Sequence, residues 1–485
     1  MRNPITRRAL MASTFLPVAG RYRVWSHPVA LTLATRTLGR TGREVTTFGL
    51  AGGNKVMWDL PGDEGVRIVV EAVRAGVTYL ETANNYQLSQ LNYGKAFRAL
   101  NLIPGQPGYD ANLRARLFLA TKTSLRTAIV RGNAEPVGRG SSGMKLAVDE
   151  LLRALTQFFG DGQGSIPEGA YIDLMQIHTL VNDSDVDAAF EGAENPADKS
   201  LPRVGVVAAL RDYRDGTNFT GLNPREKKYI RHIGITGHSN PYVHMYAMRK
   251  DANNDLETLL VALNPNDKHF ACHQHNSVKV AQAKNMGIIG MKVFADGVFY
   301  GLEKKYASQP GQSVATVGQP GKVDYRDFLR YTLSVPGVST LITGIGSVDQ
   351  LSANLAACQM GNVDAAKMRS IEEETAAKHS TDTNFFQLPS RGLKAPETVT
   401  VDRRNSGEGR IRWSTAYAGA EPIVRYEIWR DGQKAITLPF EPQTSDAPFE
   451  YNDGQAAPFG TPSKYLLRTV DRSGAHADSP VFTLA

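Results

Sequence analysis

The sequence predicts an α/β protein, a closed (β/α)8 TIM barrel followed by a small all-β sandwich. From residue 45 to residue 355, short apolar, β-branched runs alternate with helical patterns, which is how parallel βαβ units read. Eight such runs can be counted, and eight strands with helices between them in about 310 residues fit a closed barrel better than an open doubly wound sheet. Beyond Leu388-Pro389-Ser390 the composition changes, and roughly 95 residues of short alternating strands describe a two-sheet sandwich.

The eight barrel runs are residues 45–50, 77–83, 117–122, 171–178, 230–237, 256–264, 286–293 and 339–345. Between the first two, Val66, Val69, Val70 and Val73 fall on one helical stripe that must face a sheet. Residues 145–158 and 325–333 read as helices in the same way, and a charged helix is expected over 365–379. Gly/Pro/Asn-rich insertions lie at 104–112, 131–143, 160–169 and 191–202, lengths usually tied to function or disorder. In the tail, strands are expected at 398–401, 410–414, 423–430, 464–470 and 481–484, with turns at Asp431-Gly432 and Ser473-Gly474. Trp413, Tyr426 and Trp429 are its expected core aromatics. The chain thus divides into a leader (1–35), a barrel (36–388) and a sandwich (389–485).

Composition narrows the function classes. With 41% hydrophobic and 21% charged residues, neither a disordered chain nor a fully membrane-embedded one is expected. The net charge is 55 − 48 = +7, yet residues 1–43 hold eight arginines and no acid, which leaves −1 for the rest. A nucleic-acid-binding face on the folded body is therefore not expected. Two cysteines, Cys272 and Cys358, cannot build a disulfide framework or a four-cysteine metal site. Arg7-Arg8 precede an uncharged, mostly apolar stretch at 9–20 that is too short to span a bilayer. With the small residues Val18-Ala19-Gly20 behind it, this leader resembles a twin-arginine secretory signal, so export is expected, with the cytoplasm as the alternative. No other stretch reads as a membrane helix.

In a (β/α)8 barrel, functional side chains project from the C-terminal ends of the strands. Three successive runs end in polar groups: Glu81-Thr-Ala-Asn-Asn-Tyr86, Thr121-Lys122 and Gln176-Ile-His178. An acid, a phenol, an ammonium and an imidazole at one mouth form a proton-transfer set, because a nearby ammonium lowers a tyrosine pKa and an acid keeps that ammonium charged.

Thr37-Leu-Gly-Arg-Thr-Gly-Arg-Glu-Val45, Ala75-Gly-Val-Thr-Tyr-Leu-Glu-Thr-Ala-Asn-Asn-Tyr86, Tyr171-Ile-Asp-Leu-Met-Gln-Ile-His178 and Arg231-His-Ile-Gly-Ile-Thr-Gly237 resemble the aldo-keto reductase family in order and spacing, over about residues 35–360. The resemblance implies a barrel that binds a nicotinamide dinucleotide at its strand ends, NADP(H) ahead of NAD(H), and acts on a small carbonyl or alcohol substrate. Tyr86 would be the general acid, Lys122 its partner, His178 the residue that orients the carbonyl, and Glu81 the acid beside the lysine. The family normally has Asp at that last position. Cofactor contacts implied by the resemblance are Gly53, Thr236, His238, Asn264, Lys292, Gly344, Ser347, Gln350 and Asn354. The last four belong to Thr343-Gly-Ile-Gly-Ser-Val-Asp-Gln-Leu-Ser-Ala-Asn354, whose helix N-terminus suits phosphate. The family's amide after the fifth strand is Gly237 here, and no basic residue stands near Ser347.

Trp58 and His269 are expected on the substrate side. Gly138-Arg-Gly-Ser-Ser-Gly143 spells a dinucleotide motif but follows Pro136 rather than a strand, so it reads as a loop. His269, Cys272, His273 and His275 could bind a metal, though packing and capping explain them more simply, and no metal is expected. The tail, through Tyr426-Glu-Ile-Trp-Arg-Asp-Gly and Tyr465-Leu-Leu-Arg-Thr-Val-Asp-Arg-Ser-Gly, resembles a fibronectin type III module, which implies ligand, surface or polysaccharide contact rather than catalysis. Two rival functions stand beside the reductase: a cofactor-binding sensor or scaffold, and a carbohydrate- or surface-binding protein dominated by its tail.

Overall fold

The computed structural model describes residues 33–58, 63–123, 127–130, 147–162, 164–300, 323–376 and 383–484; residues 1–32 of the leader and the 138–143 glycine motif lie outside them. Eight parallel strands close into a barrel: β1 (Phe48–Ala51), β2 (Tyr79–Glu81), β3 (Phe118–Thr123), β4 (Ile172–Ile177), β5 (Ile230–Gly237), β6 (Leu256–Ala262), β7 (Gly287–Met291) and β8 (Val338–Gly344). Each pairs with the next in chain order and β8 returns to β1. All eight expected runs are barrel strands, with one refinement. The first run is split, because Glu44–Thr46 pairs antiparallel with Thr35–Thr37 and only Phe48–Ala51 enters the barrel.

Two apolar layers hold this body together. Inside the barrel, Tyr79, Phe118, Ala120, Leu174, Leu260, Ile289 and Ile342 form one cluster, with the Tyr79 and Phe118 rings stacked at 5.7 Å. Outside it, helices bury their apolar stripes on the strands. Glu64–Arg74 buries Val66, Val69, Val70 and Val73, the four residues whose spacing predicted it, and Ala147–Phe158 buries Val148, Leu151, Leu155 and Phe158. At an effect of roughly 1.5–3 kcal/mol per fully buried aliphatic side chain, these stripes are what fixes each helix to the sheet.

One insertion is more ordered than its composition suggested: residues 104–112 run into a short helix, Ala111–Arg116, capped by Asp110. Thr127–Val130 pairs antiparallel with Arg203–Gly205, just outside the insertions at 131–143 and 191–202, the first of which lies outside the described residues. The charged helix spans Ala365–Ala376.

The C-terminal region is all β. One antiparallel sheet joins Val399–Arg403, Gly409–Trp413 and Phe449–Asp453; the other joins Gln433–Pro439, Ile423–Arg430, Ser463–Asp471 and His476–Asp478, with Phe482–Leu484 also on Ser463–Asp471. Three of these strands, Gln433–Pro439, Phe449–Asp453 and His476–Asp478, were not expected. Trp413 and Tyr426 are in the shared core, but Trp429 is half-buried on the outer face under Arg468, 4.9 Å from its ring. Its position follows from the period of two, since it lies three residues beyond inward-facing Tyr426. The region docks on the barrel through the buried Asn276, which donates to Ala418 O (3.1 Å) and accepts from Ala418 N (2.9 Å), and through Tyr242 against Tyr417 at 4.3 Å.

Candidate active site

Strand register places the reactive groups. Glu81 is opposite Ala120 across β2 and β3, and Lys122 is opposite Gln176 across β3 and β4, so the acid, the ammonium and the residues leading to His178 reach the same end of the barrel. Tyr86 comes from the loop after β2. That loop is held by the Asn84 side chain donating to Lys122 O (2.9 Å), by Arg153 donating to both Asn84 oxygens (3.0 and 2.8 Å), and by Thr82 donating to Ser89 (2.7 Å).

The four groups meet. Lys122 Nζ donates to Tyr86 OH at 3.3 Å and to Thr82 O at 3.1 Å, and contacts the Glu81 carboxylate. The His178 ring stands edge-on to Tyr86 at 5.9 Å, and Trp58 lies 5.4 Å from it on another side. Glu81 and Lys122 are almost completely buried. Burial pushes the Lys122 ammonium well below the ordinary lysine range, while the carboxylate in contact with it favours the charged form. The extra methylene of Glu81 has therefore not broken the pair. Beneath them, both ends of the buried Gln176 amide and the Thr236 hydroxyl have no hydrogen-bond partner among the described residues.

The site opens into a cavity of about 780 Å³ whose wall includes Glu81, Tyr86, His178, Trp58, Gly53, His238, Lys292, Gly344, Gln350 and Asn354. Gly53 lies close against the phenol: a Cβ there would stand 3.0 Å from the Tyr86 ring, which would have to shift by a few tenths of an ångström. Burial, reinforced by Lys292 and Lys122, pushes the His238 imidazole well below its usual range, so it is neutral. Lys292 donates to Asp296 at 2.9 Å and sits 5.5 Å from the Phe386 ring. Two wall residues that follow strand ends carry left-handed backbone, Thr179 (φ 61°) and Lys292 (φ 56°), the kind of local strain that clusters at functional sites. At the β8 end, Gln350 accepts from Gly346 N (2.6 Å) and its Nε2 has no partner among the described residues, while Asn354 donates to Thr343 (3.2 Å).

Five sequence-derived positions are not on that wall, and one of them is Lys122, which touches Tyr86 behind it. Thr236 is buried inside the barrel, and Ser347 caps helix Val348–Gln359 by accepting from Gln350 N. Asn264 binds Lys292 O, Asn384 and Asn266 N, and His269 ends a short 3-10 turn, Asp267–His269. Cys272 donates to Asp267 (3.3 Å) and His273 lies between Ser277 and His238 O. Sequence reasoning missed Asn54, Phe294, Asp296, Tyr325, Phe385 and Phe386, all on the wall. Only the adjacent aromatics Phe385 and Phe386, just before the change of composition, offered a signal.

A family model described as the aldo/keto reductase family matches residues 47–375, more than half of the chain and all of the barrel strands. The chain belongs to the aldo/keto reductase family. No curated protein matches it. Among solved structures it is similar to a proposed aldo-keto reductase from Pseudomonas aeruginosa, at 18% identity over 67% of this chain and 95% of that one, TM-score 0.40. It is also similar to the holo form of an aldo-keto reductase from Bacillus halodurans, at 16% identity over 73% and 99%, TM-score 0.45. Membership supports an oxidoreductase, and aldo/keto reductases generally bind nicotinamide cofactors. No helix among the described residues is long and apolar enough to cross a membrane.

Proposed function

We propose that this aldo/keto reductase reduces an aldehyde or ketone to the alcohol, or runs the reverse oxidation, with NADP(H) ahead of NAD(H) and Tyr86 as the proton donor. The observation that carries this reading is the Tyr86 hydroxyl on the wall of the cavity, 3.3 Å from a lysine that is itself paired with a carboxylate. The residues present suit a nicotinamide dinucleotide: Gly344 and Gly346 leave the wall without side chains at its turn, and the buried Gln350 amide offers an unpartnered donor beside them. When bound, that group supplies the reducing equivalent to the carbonyl carbon.

The remaining work belongs to this chain. Tyr86 gives its proton to the carbonyl oxygen, and the ammonium of Lys122 stabilises the phenolate left behind. Glu81 keeps that ammonium charged inside a site that burial would otherwise neutralise. His178, edge-on to the phenol, orients the substrate oxygen toward it. Loss of reduced-nicotinamide absorbance on addition of a carbonyl panel tests the reaction, and fluorescence titration tests binding. Failure to bind either NADPH or NADH would remove the reading.

Export by the twin-arginine leader and a fibronectin type III character for residues 389–485 are separate proposals, supported by Arg7-Arg8 and by the two antiparallel sheets around Trp413 and Tyr426. Secretion of an Arg7→Lys, Arg8→Lys double variant at the parental level would defeat the first. Failure of an isolated 389–485 fragment to unfold cooperatively would count against an independent unit.

A further inference from the structure

The turn that carries Tyr86 is gripped from a helix that the proposed chemistry does not use. Arg153, half-buried on helix Ala147–Phe158, donates from Nε to Asn84 Oδ1 (3.0 Å) and from Nη2 to Asn84 O (2.8 Å), so its planar fork spans both oxygens of one residue. Asn84 is buried, and its side chain donates to Lys122 O at 2.9 Å while its backbone N–H donates to the same oxygen at 3.3 Å. Asparagine suits both ends, because its Oδ1 accepts and its Nδ2 donates, whereas an aspartate could not give the second bond. One turn earlier on the helix, Glu150 accepts from the hydroxyl of Thr123, the residue after Lys122, at 2.6 Å. Among the described residues no carboxylate pairs with Arg153, so the fork is spent on Asn84.

This grip bears on the distance between phenol and ammonium. Lys122 Nζ stands 3.3 Å from Tyr86 OH, at the long end of hydrogen-bond range, so a slackening of a few tenths of an ångström loses the contact. Tyr86 follows Asn84 closely, in a turn closed by Tyr86 N on Ala83 O (3.2 Å) and continued by Ser89 N on Tyr86 O (2.8 Å). Asn84 thus ties the Tyr86 turn to the backbone of the lysine itself, and Arg153 keeps Asn84 from rotating out of that bond. Neither Asn84 nor Arg153 is on the cavity wall, so neither meets a substrate there.

We propose that Arg153 is a positioning residue for proton transfer, holding Tyr86 within reach of Lys122 through Asn84. The guanidinium touches no reacting atom and acts through Asn84. Its link to turnover rests on the carbonyl reductase reading, but the Tyr86–Lys122 geometry it fixes does not. Among the described residues, the titratable groups around the phenol are Lys122, with Glu81 beside it, and His178 at the ring's edge. Of these, the ammonium is the one that lowers a phenol's titration range, and its contact is the one that would slacken.

The test uses the full chain with NADPH and the faster of benzaldehyde and butanone, beside NMR of tyrosine isotope-labelled at Cζ, the Tyr86 resonance being the one lost in Tyr86→Phe. Arg153→Met should lower kcat by about tenfold, less than a full ångström of misplacement can cost, with KM and NADPH affinity nearly kept. The Tyr86 resonance should then titrate at higher pH than in the parent. Arg153→Lys, a point charge without the fork, should recover only part of the loss. Asn84→Ala should match Arg153→Met, and the double variant should be no worse than either, since both cut one link. If neither carbonyl is reduced, an upward shift of the Tyr86 titration still supports the positioning role while the reductase reading fails. An unmoved Tyr86 titration overturns the proposal whatever kcat does. So does an active enzyme in which Arg153→Met lowers only the melting temperature or only KM, or in which the two losses add. Should Arg153→Met fail to fold, Arg153→Lys and Asn84→Ala decide between the same outcomes.

Discussion

Among the described residues of the barrel, two carboxylate–cation pairs are almost completely buried, and their surroundings differ. Arg114 and Asp173, 2.9 Å apart and nearly inaccessible, sit beside the start of β4. Asp173 also accepts from Leu119 N (3.0 Å), Arg114 donates to Tyr171 O (2.8 Å), and the guanidinium lies 3.9 Å over the Tyr171 ring, which carries Arg231 on it at the same distance. Glu81 and Lys122 are as buried but stand at the opposite strand ends, where Lys122 reaches Tyr86, and Glu81 and Tyr86 line the cavity. One pair is closed off by backbone and ring contacts; the other has a phenol and an open volume as its neighbours. Burial of an ion pair alone is therefore no mark of function, and the end of the barrel on which it lies is.

The sharpest way to break this comparison is Tyr86→Phe. It removes the proposed proton donor without disturbing either pair, so kcat should fall by about 10²–10⁴-fold while the thermal midpoint hardly moves. Steady-state kinetics beside a melting curve reads both. Next in size, Arg114→Leu should cost about 3–5 kcal/mol of stability, because Asp173 is left buried without its cation. Denaturant titration checks this, and the folded fraction should keep parental turnover.

A smaller effect is expected at the Glu81–Lys122 pair. Glu81→Gln should lower kcat by about tenfold, about 1.4 kcal/mol of transition-state stabilisation, with cofactor affinity nearly kept. Glu81→Asp, the family's shorter arm, should recover most of it. Superimposable kcat-against-pH profiles for parent, Gln and Asp forms would show that the acid plays no part.

A separate effect, read through pH, is expected at two buried histidines outside both pairs. Burial pushes the His244 and His273 imidazoles down to about 4 and about 3. Their folded pKa values lie below the unfolded value of about 6.5, so the unfolded chain takes up protons that the native state refuses. Their contribution is fully present above that pH and is lost as pH falls toward 4. Asp267, raised by burial to about 6, works with the opposite sign: it favours the fold below its unfolded range of about 3.9 and loses that advantage as pH rises through 6. Melting temperatures of the parent and a His244→Asn, His273→Asn variant between pH 7 and 4 should diverge, the parent falling more steeply. Parallel slopes would contradict the assignment.

Much of this was legible beforehand because strands and amphipathic helices are local patterns. Val66, Val69, Val70 and Val73 specify a helix face without reference to anything distant, and Tyr86, Lys122 and His178 follow runs whose periodicity is visible in the chain. Trp429 was misplaced only because its strand's parity was not counted from Tyr426. Asn264 is a different case: its position after β6 suggests a cofactor contact, while in the fold its amide is held by Asn384, 120 residues away.

By itself, then, the sequence determined the barrel, its strand order and the residue types at its mouth, since each depends on neighbours within a dozen positions. Tertiary structure alone decided that Glu81 meets Lys122 despite its longer arm, that Lys292 is paired with Asp296, and that Phe385 and Phe386 return to the mouth. Those outcomes depend on where folding brings distant segments and on how burial shifts their charges, and no local period encodes either.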